Sequence, residues 1–131
     1  MAQYPSELKY TKEHEWAREE GDNVVRVGVT AYAVEQLGDV TLVDLPKVGA
    51  EVAVNAHFGD IESVKTVSEL FAPVSGEVVE VNNDLEDQPE LVNDAPYEGG
   101  WMVAIRMNAP EEIRGLMDAA AYETFLGKLD E

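Results

Sequence analysis

The chain has 131 residues, 45% of them hydrophobic, enough for one domain with a real core and short for two. Nine Lys plus Arg against 27 Asp plus Glu leave a formal charge of −18, which opposes binding to a phosphate backbone or an anionic lipid surface. Zero cysteines exclude disulfides, thiolate metal sites and a cysteine nucleophile, so the chain itself offers no redox chemistry.

The opening segment, Met1 to Glu7, has neither the basic and apolar regions of a signal peptide nor the Arg-rich character of a transit peptide. No apolar run approaches the roughly 20 residues of a spanning helix. These features predict a cytoplasmic protein that binds neither nucleic acid nor membrane. A first hairpin is expected from His14–Arg18 and Val24–Val29, with the polar stretch Glu19–Asn23 as its loop. Thr30 can cap a short helix over Ala31–Leu37, and Gly38 stands where a left-handed C-terminal cap is wanted. Short strands follow at Val40–Leu45 and Glu51–Val54, broken by Pro46 and Gly49.

Gly59–Val64 and Thr66–Phe71 flank Lys65 with β-branched residues, which places Lys65 near the apex of a hairpin spanning about 59–71. Pro73–Gly76 makes a turn, Glu77–Val81 a strand, and Asn82–Gly100 a loop-rich stretch. Trp101–Met107 reads as the closing strand. A helical segment over about 109–129 then begins with a capping-box-like Asn108 and Glu111, with Ile113, Leu116 and Met117 on one face. Asp118 can cap a second helix that repeats Tyr122, Phe125, Leu126 and Leu129 at helical spacing. About seven short strands followed by terminal helices describe a mainly β fold, a small sandwich or barrel with helical additions.

Catalytic signatures are absent: there is no Gly-x-Ser-x-Gly elbow, no phosphate loop, no Gly-x-Gly-x-x-Gly, and only two histidines. Glu13 and Glu15, two apart on a strand, would share one face with His14 on the other, which is poor metal-ligand geometry; His14 and His57 are expected to be packed or hydrogen-bonded, and no metal is expected. Trp16, Phe71, Tyr97 and Trp101 read as core or cleft aromatics. Lys65 is set apart by its surroundings, for between it and Arg106 there is no Lys or Arg while nine acids occur. A lysine on a hairpin either blocks edge pairing or serves as an acylation site, since an apex holds the amine clear of the fold.

Several ordered blocks from Lys9 to about Met107 resemble the H protein of the glycine cleavage system. They are Tyr10–Trp16, Gly28–Thr30 with Leu37–Val40, Leu45–Gly49, Glu62–Leu70, Pro73–Val78 with Glu80–Asn82, and Asn93–Trp101. The resemblance implies a single lipoyl-carrier domain over residues 1–131, built as a barrel-sandwich hybrid with a short internal helix and C-terminal helices. It implies lipoic acid bound covalently as an amide on Lys65, with Glu62 read by the modifying enzyme. It further implies a carrier, not an enzyme, that takes the aminomethyl group of glycine from a pyridoxal-phosphate glycine decarboxylase (P protein) to an aminomethyltransferase (T protein) that delivers the carbon to tetrahydrofolate. Electrons pass to dihydrolipoyl dehydrogenase (L protein). Lipoate ligase or lipoyl transferase, and lipoyl synthase, complete the implied partners. Glu13, Glu15, Gln36 and Glu69 are the implied lining of the cleft that shelters the aminomethyl arm; several members carry serine, histidine and aspartate at the positions of Glu13, Gln36 and Glu69.

Other readings remain open at this point. A lipoyl domain of a 2-oxoacid dehydrogenase or a biotin carrier usually shows Asp-Lys-Ala or Met-Lys-Met, and Val64-Lys65-Thr66 is neither. A lipoate-relay protein that donates lipoyl groups to other enzymes would need Lys65 equally. An unmodified acidic adaptor would need only the charge.

Overall fold

A computed structural model describes residues 4–129; residues 1–3 of the opening segment and the last two of the chain lie outside the described part. In chain order the strands are β1 (Lys9–Tyr10), β2 (Glu15–Gly21), β3 (Val24–Val29), β4 (Val40–Asp44), β5 (Glu51–Val52), β6 (His57–Ser63), β7 (Val67–Phe71), β8 (Gly76–Val81) and β9 (Val103–Met107). The helices are α1 (Ala31–Leu37), α2 (Asp84–Asp87), α3 (Leu91–Asp94) and α4 (Ala119–Leu129), with a 3-10 turn at Pro110–Gly115. The strands form a six-stranded sheet, β1-β2-β3-β9-β8-β5, and a three-stranded sheet, β4-β6-β7, with every pairing antiparallel. The fold is mainly β, as expected, and consistent with a barrel-sandwich hybrid.

Period-two alternation builds the core. Val25, Val27, Val78, Val103 and Ile105 of the larger sheet and Ile61 and Leu70 of the smaller one belong to a single cluster of buried residues. Each such aliphatic side chain contributes about 1.5–3 kcal/mol by leaving water. A second cluster joins Leu8, Tyr10 and Trp16 to Tyr122 and Leu126 of α4, with the Tyr10 and Tyr122 rings stacked at 4.8 Å between centroids. Trp16 lies opposite Gly28 across β2 and β3, and a Cβ on Gly28 would stand 2.6 Å from the Trp16 ring. The glycine leaves the space that the indole fills.

Four expectations are corrected. The first hairpin loop is only Asp22-Asn23, both at positive φ (53° and 64°), while Glu19–Gly21 continue β2. Asp and Asn tolerate that conformation, and solvated glutamates on an edge-facing stretch look like loop in sequence. The stretch after Val81 holds two one-turn helices, too short to show a periodic apolar face. The capping box at Asn108 does not form: Ala109 is the flanking residue of a 3-10 turn, and it is Glu112 whose carboxylate accepts the Ser75 N–H and hydroxyl at 2.6 and 3.0 Å. Leu129 is 47% exposed, so the apolar stripe of α4 ends at Leu126. Asp118 does cap α4, accepting from the Ala121 N–H at 2.8 Å.

Candidate functional site

Lys65 occupies the exposed turn between β6 and β7. Ser63 organises that turn: its N–H donates to the Thr66 carbonyl at 2.8 Å, and its Oγ accepts the N–H groups of Lys65 and Thr66 at 3.3 and 3.1 Å. Among the described residues the Lys65 ammonium makes no ion pair. An exposed primary amine on a hydrogen-bonded turn fits an amide-linked acyl group, which needs a nitrogen free to react and then free to move.

The apex does not float. The Val64 N–H donates to the Asp39 carbonyl at 3.1 Å, so the turn rests on the corner that follows α1. Gly38 in that corner has φ 76° and ψ −152°, a region open essentially to glycine alone, and the Lys65 stem passes over it: a Cβ there would meet Lys65 Cε at 3.4 Å. The expected positive φ is present, though ψ is not that of a left-handed helix. Asn93 of α3 holds the corner from behind, donating Nδ2–H to the Gly38 carbonyl at 2.7 Å and accepting the Val40 N–H at 2.9 Å. Gln36, in the last turn of α1, is exposed.

Glu15 lies near the other end of β7. It is 1% exposed; one carboxylate oxygen accepts the Thr11 hydroxyl at 2.8 Å and the other the Phe71 N–H at 3.2 Å. Burial pushes its pKa up to about 8, against the lowering effect of the Thr11 and Phe71 bonds. From Val67 to Phe71 is four strand steps, about 13 Å.

The shared face expected for Glu13 and Glu15 is not found. Residues 11–14 form a turn closed by the His14 N–H to the Thr11 carbonyl, and His14 sits at φ 72° just before β2 begins. That left-handed residue breaks the strand alternation. Glu13 is exposed and lines a hollow with Asn55, Gly115 and Met117, whereas Glu15 points inward. Glu69 carries its carboxylate to the outer face of β7, where its oxygen, an Asp60 oxygen and a His57 nitrogen lie within 4.8 Å of one another. His57 Nε2 and Asp60 Oδ1 lie 2.9 Å apart, and this hydrogen bond raises the imidazole pKa. Glu62 is exposed on β6, three residues before Lys65. The structure therefore groups Lys65 with Gly38, Asp39 and Val64, Glu15 with Thr11 and Phe71, and Glu69 with His57 and Asp60.

Sequence reasoning named neither Asn93 as the clamp nor Thr11 as a partner of Glu15. Both lie inside blocks already set apart by their residues, Tyr10–Trp16 and Asn93–Trp101. His14 is hydrogen-bonded as expected: its Nδ1 and the Thr30 hydroxyl both lie 2.8 Å from the Tyr122 hydroxyl, which joins α4 to the cap of α1. Tyr97 also reaches α1, its hydroxyl accepting the Ala31 N–H at 2.8 Å. No helix among the described residues is long and apolar enough to cross a membrane.

The family model described as Glycine cleavage H-protein matches residues 8–129. The Glycine cleavage system H protein of Geobacillus kaustophilus is 56% identical over 124 residues, covering 95% of this chain and 97% of its own length. That of Symbiobacterium thermophilum is 54% identical over 125 residues, with the same two coverages. A crystal structure of a glycine cleavage system H protein from Mycobacterium marinum superposes with a TM-score of 0.86 at 40% identity, covering 95% of this chain and 99% of that one. The chain belongs to the glycine cleavage H-protein family, and its function is that family's lipoyl-carrying shuttle in the glycine cleavage system.

Proposed function

We propose that Lys65 carries the lipoyl group, bound as an amide through Nζ, and that the chain performs no turnover alone but serves as the common substrate of the cleavage enzymes. The observation that carries this reading is the exposed amine on the Ser63-organised turn, seated on Gly38 and Asp39. When bound, the dithiolane supplies the sulfur redox chemistry that a cysteine-free chain lacks. Acylation replaces the ammonium by an amide: the free amine attacks an activated lipoyl carbonyl, the N–C bond forms, the donor's leaving group departs with its electron pair, and nitrogen loses a proton. Lipoate ligase or lipoyl transferase would supply this step, and lipoyl synthase would serve where the sulfurs are added after the acyl chain is attached.

The partners under this reading are glycine decarboxylase, which hands over the aminomethyl group, the aminomethyltransferase, which receives it, and dihydrolipoyl dehydrogenase, which takes the electrons. The cargo's amine is cationic near neutral pH, and Glu15 is the buried carboxyl we assign to it. Without a cation nearby, burial keeps much of Glu15 protonated at pH 7. An ammonium beside it favours the carboxylate and releases a proton, so the anion forms where the cation arrives. Gln36, Glu69 and Glu13 are exposed and stand apart from Glu15, so under this reading they would meet the arm only outside the place of the cargo's amine, and Glu62 is assigned to recognition by the modifying enzyme.

The experiment is peptide mapping after incubation with a purified lipoate ligase, lipoate and ATP. The lipoyl group is expected on Lys65 alone, and Lys65→Arg, which keeps the charge but not the acylatable amine, should fold and remain unmodified. Modification of Lys47 or Lys128 instead would overturn the assignment.

A further inference from the structure

Among the described residues six large apolar side chains are 37% exposed or more, and three of these belong to the smaller sheet and its lysine turn: Leu42 and Val67 on the strands and Val64 on the turn. Their arrangement is set by strand register. Leu42 of β4 lies opposite Glu62 of β6, and Glu62 lies opposite Val67 of β7. Directly opposed residues share a face, so Leu42, Glu62 and Val67 form one row across three strands. The face is the solvent face, because all three are exposed while Ile61 and Leu70, next along their strands to Glu62 and Glu69, point into the core. Val64, 71% exposed, follows Glu62 by two residues on the turn itself.

Strand positions open to water ordinarily carry polar side chains, and a soluble chain with 27 acids has no shortage of them. Apolar residues concentrated at one corner mark a surface that is covered at some stage. The surroundings define the chemistry of the cover. Glu62 sits within the row, Asp39 is hydrogen-bonded through its carbonyl to Val64, and Glu69 follows Val67 by two residues. Apart from Lys65 there is no Lys or Arg between Lys47 and Arg106. A matching partner presents apolar sockets with a basic group opposite Glu62 and a basic rim.

We propose that the row Leu42–Glu62–Val67, with Val64, is the docking surface of the enzyme that acylates Lys65. This rests on the reading of Lys65 as the acylated residue. The geometry selects this occupant over the enzymes of glycine cleavage. Acyl transfer takes place at Nζ, so the acylating enzyme must bring its reacting centre to the apex and cover the residues beside it. Enzymes that act on the far end of an attached arm have no need to reach Nζ itself. Recognition by this row is also conformational, since Leu42 comes from a strand remote in sequence, and a peptide spanning 59–71 would lack it.

The test compares wild type with Leu42→Thr, Val67→Thr and, as a control, Val48→Thr, which alters an exposed valine beyond the opposite end of β4. Threonine suits a solvent-facing strand, so folding should persist. With purified lipoate ligase, lipoate and ATP, kcat/KM for modification of the folded full chain should fall roughly tenfold in each of the first two variants, the loss of one packed anchor, and stay unchanged in the control. Once the variants are loaded to completion and their dithiolane is reduced chemically, oxidation of the dithiol by dihydrolipoyl dehydrogenase should match wild type. Equal modification rates in all four proteins would overturn the proposal, as would an equal loss of oxidation rate, which would make the row a general docking face. Concentration-dependent dimerisation of wild type that Leu42→Thr abolishes, with modification unchanged, would assign the row to a second copy of the chain. Wild type left unmodified at Lys65 would remove the underlying reading itself, a result distinct from any difference among variants.

Discussion

The Glu15 carboxylate accepts the backbone N–H of Phe71 at 3.2 Å, tying the first residue of β2 to the last residue of β7. Its other oxygen holds Thr11, so one buried side chain joins the turn at 11–14, the larger sheet and the lysine hairpin.

The pKa of Glu15 is raised from 4.5 to about 8 by burial, and the sign of its effect on stability follows. Below pH 4.5 folded and unfolded chains both hold the proton. Between 4.5 and 8 the folded chain keeps a proton that the unfolded chain has lost, so this contribution declines as pH rises. Glu15→Gln has no proton to lose. Denaturant titrations should show the stability of the glutamine variant relative to wild type improving from pH 4.5 to 8, by on the order of a few kcal/mol. A gap independent of pH would rule out a titrating, buried Glu15.

Asn93 satisfies two backbone groups of the Gly38–Val40 corner, on which Val64 rests. Asn93→Ala leaves the Gly38 carbonyl and Val40 N–H without these partners, and a loss of about 1–3 kcal/mol is expected. Because the corner carries the apex, amide exchange at Val64 should accelerate more than at Val78 in the core. Unchanged exchange at Val64 would show that the turn is held independently of Asn93.

The Tyr122 hydroxyl is shared by His14 and Thr30, and Tyr122→Phe should cost about 1–2 kcal/mol, read by urea denaturation at pH 7. Burial holds the His14 pKa below its ordinary 6.5. Neutral His14 therefore supports the fold above that ordinary value, and this support is lost as pH falls through the lower, folded value. His14→Gln, which does not take up the proton, should show a shallower loss of stability between pH 7 and pH 5 than wild type.

A charge of −18 accelerates encounter with basic surfaces and is screened beyond about 8 Å at physiological ionic strength. Rates of the partner reactions at limiting carrier should fall steadily as salt is raised. Rates flat across that range would exclude electrostatic steering.

Local signals made much of this molecule legible in advance. Alternating valines announced β3 and β8, Thr30 and Gly38 marked the ends of α1, and β-branched residues around Lys65 marked a turn with a lysine on it. Each of these depends on residues within a few positions of one another. The family resemblance added the lipoyl role and named Glu13, Glu15, Gln36 and Glu69 as cleft residues, but their environments could not be inferred from spacing. A single left-handed residue, His14, undid the alternation that had put Glu13 beside Glu15.

What the sequence determined by itself is most of the short strands, the turn that carries the exposed lysine, and a strongly acidic chain without thiols. Tertiary structure alone decided that Glu15 is buried against Thr11 and Phe71, that Asn93 grips the corner under the lysine turn, and that Leu42, Glu62 and Val67 stand in one row. The physical reason is register. Pairing of β4, β6 and β7 brings together residues far apart in the chain, and burial, hydrogen bonding and protonation follow from neighbours in space that no local pattern specifies.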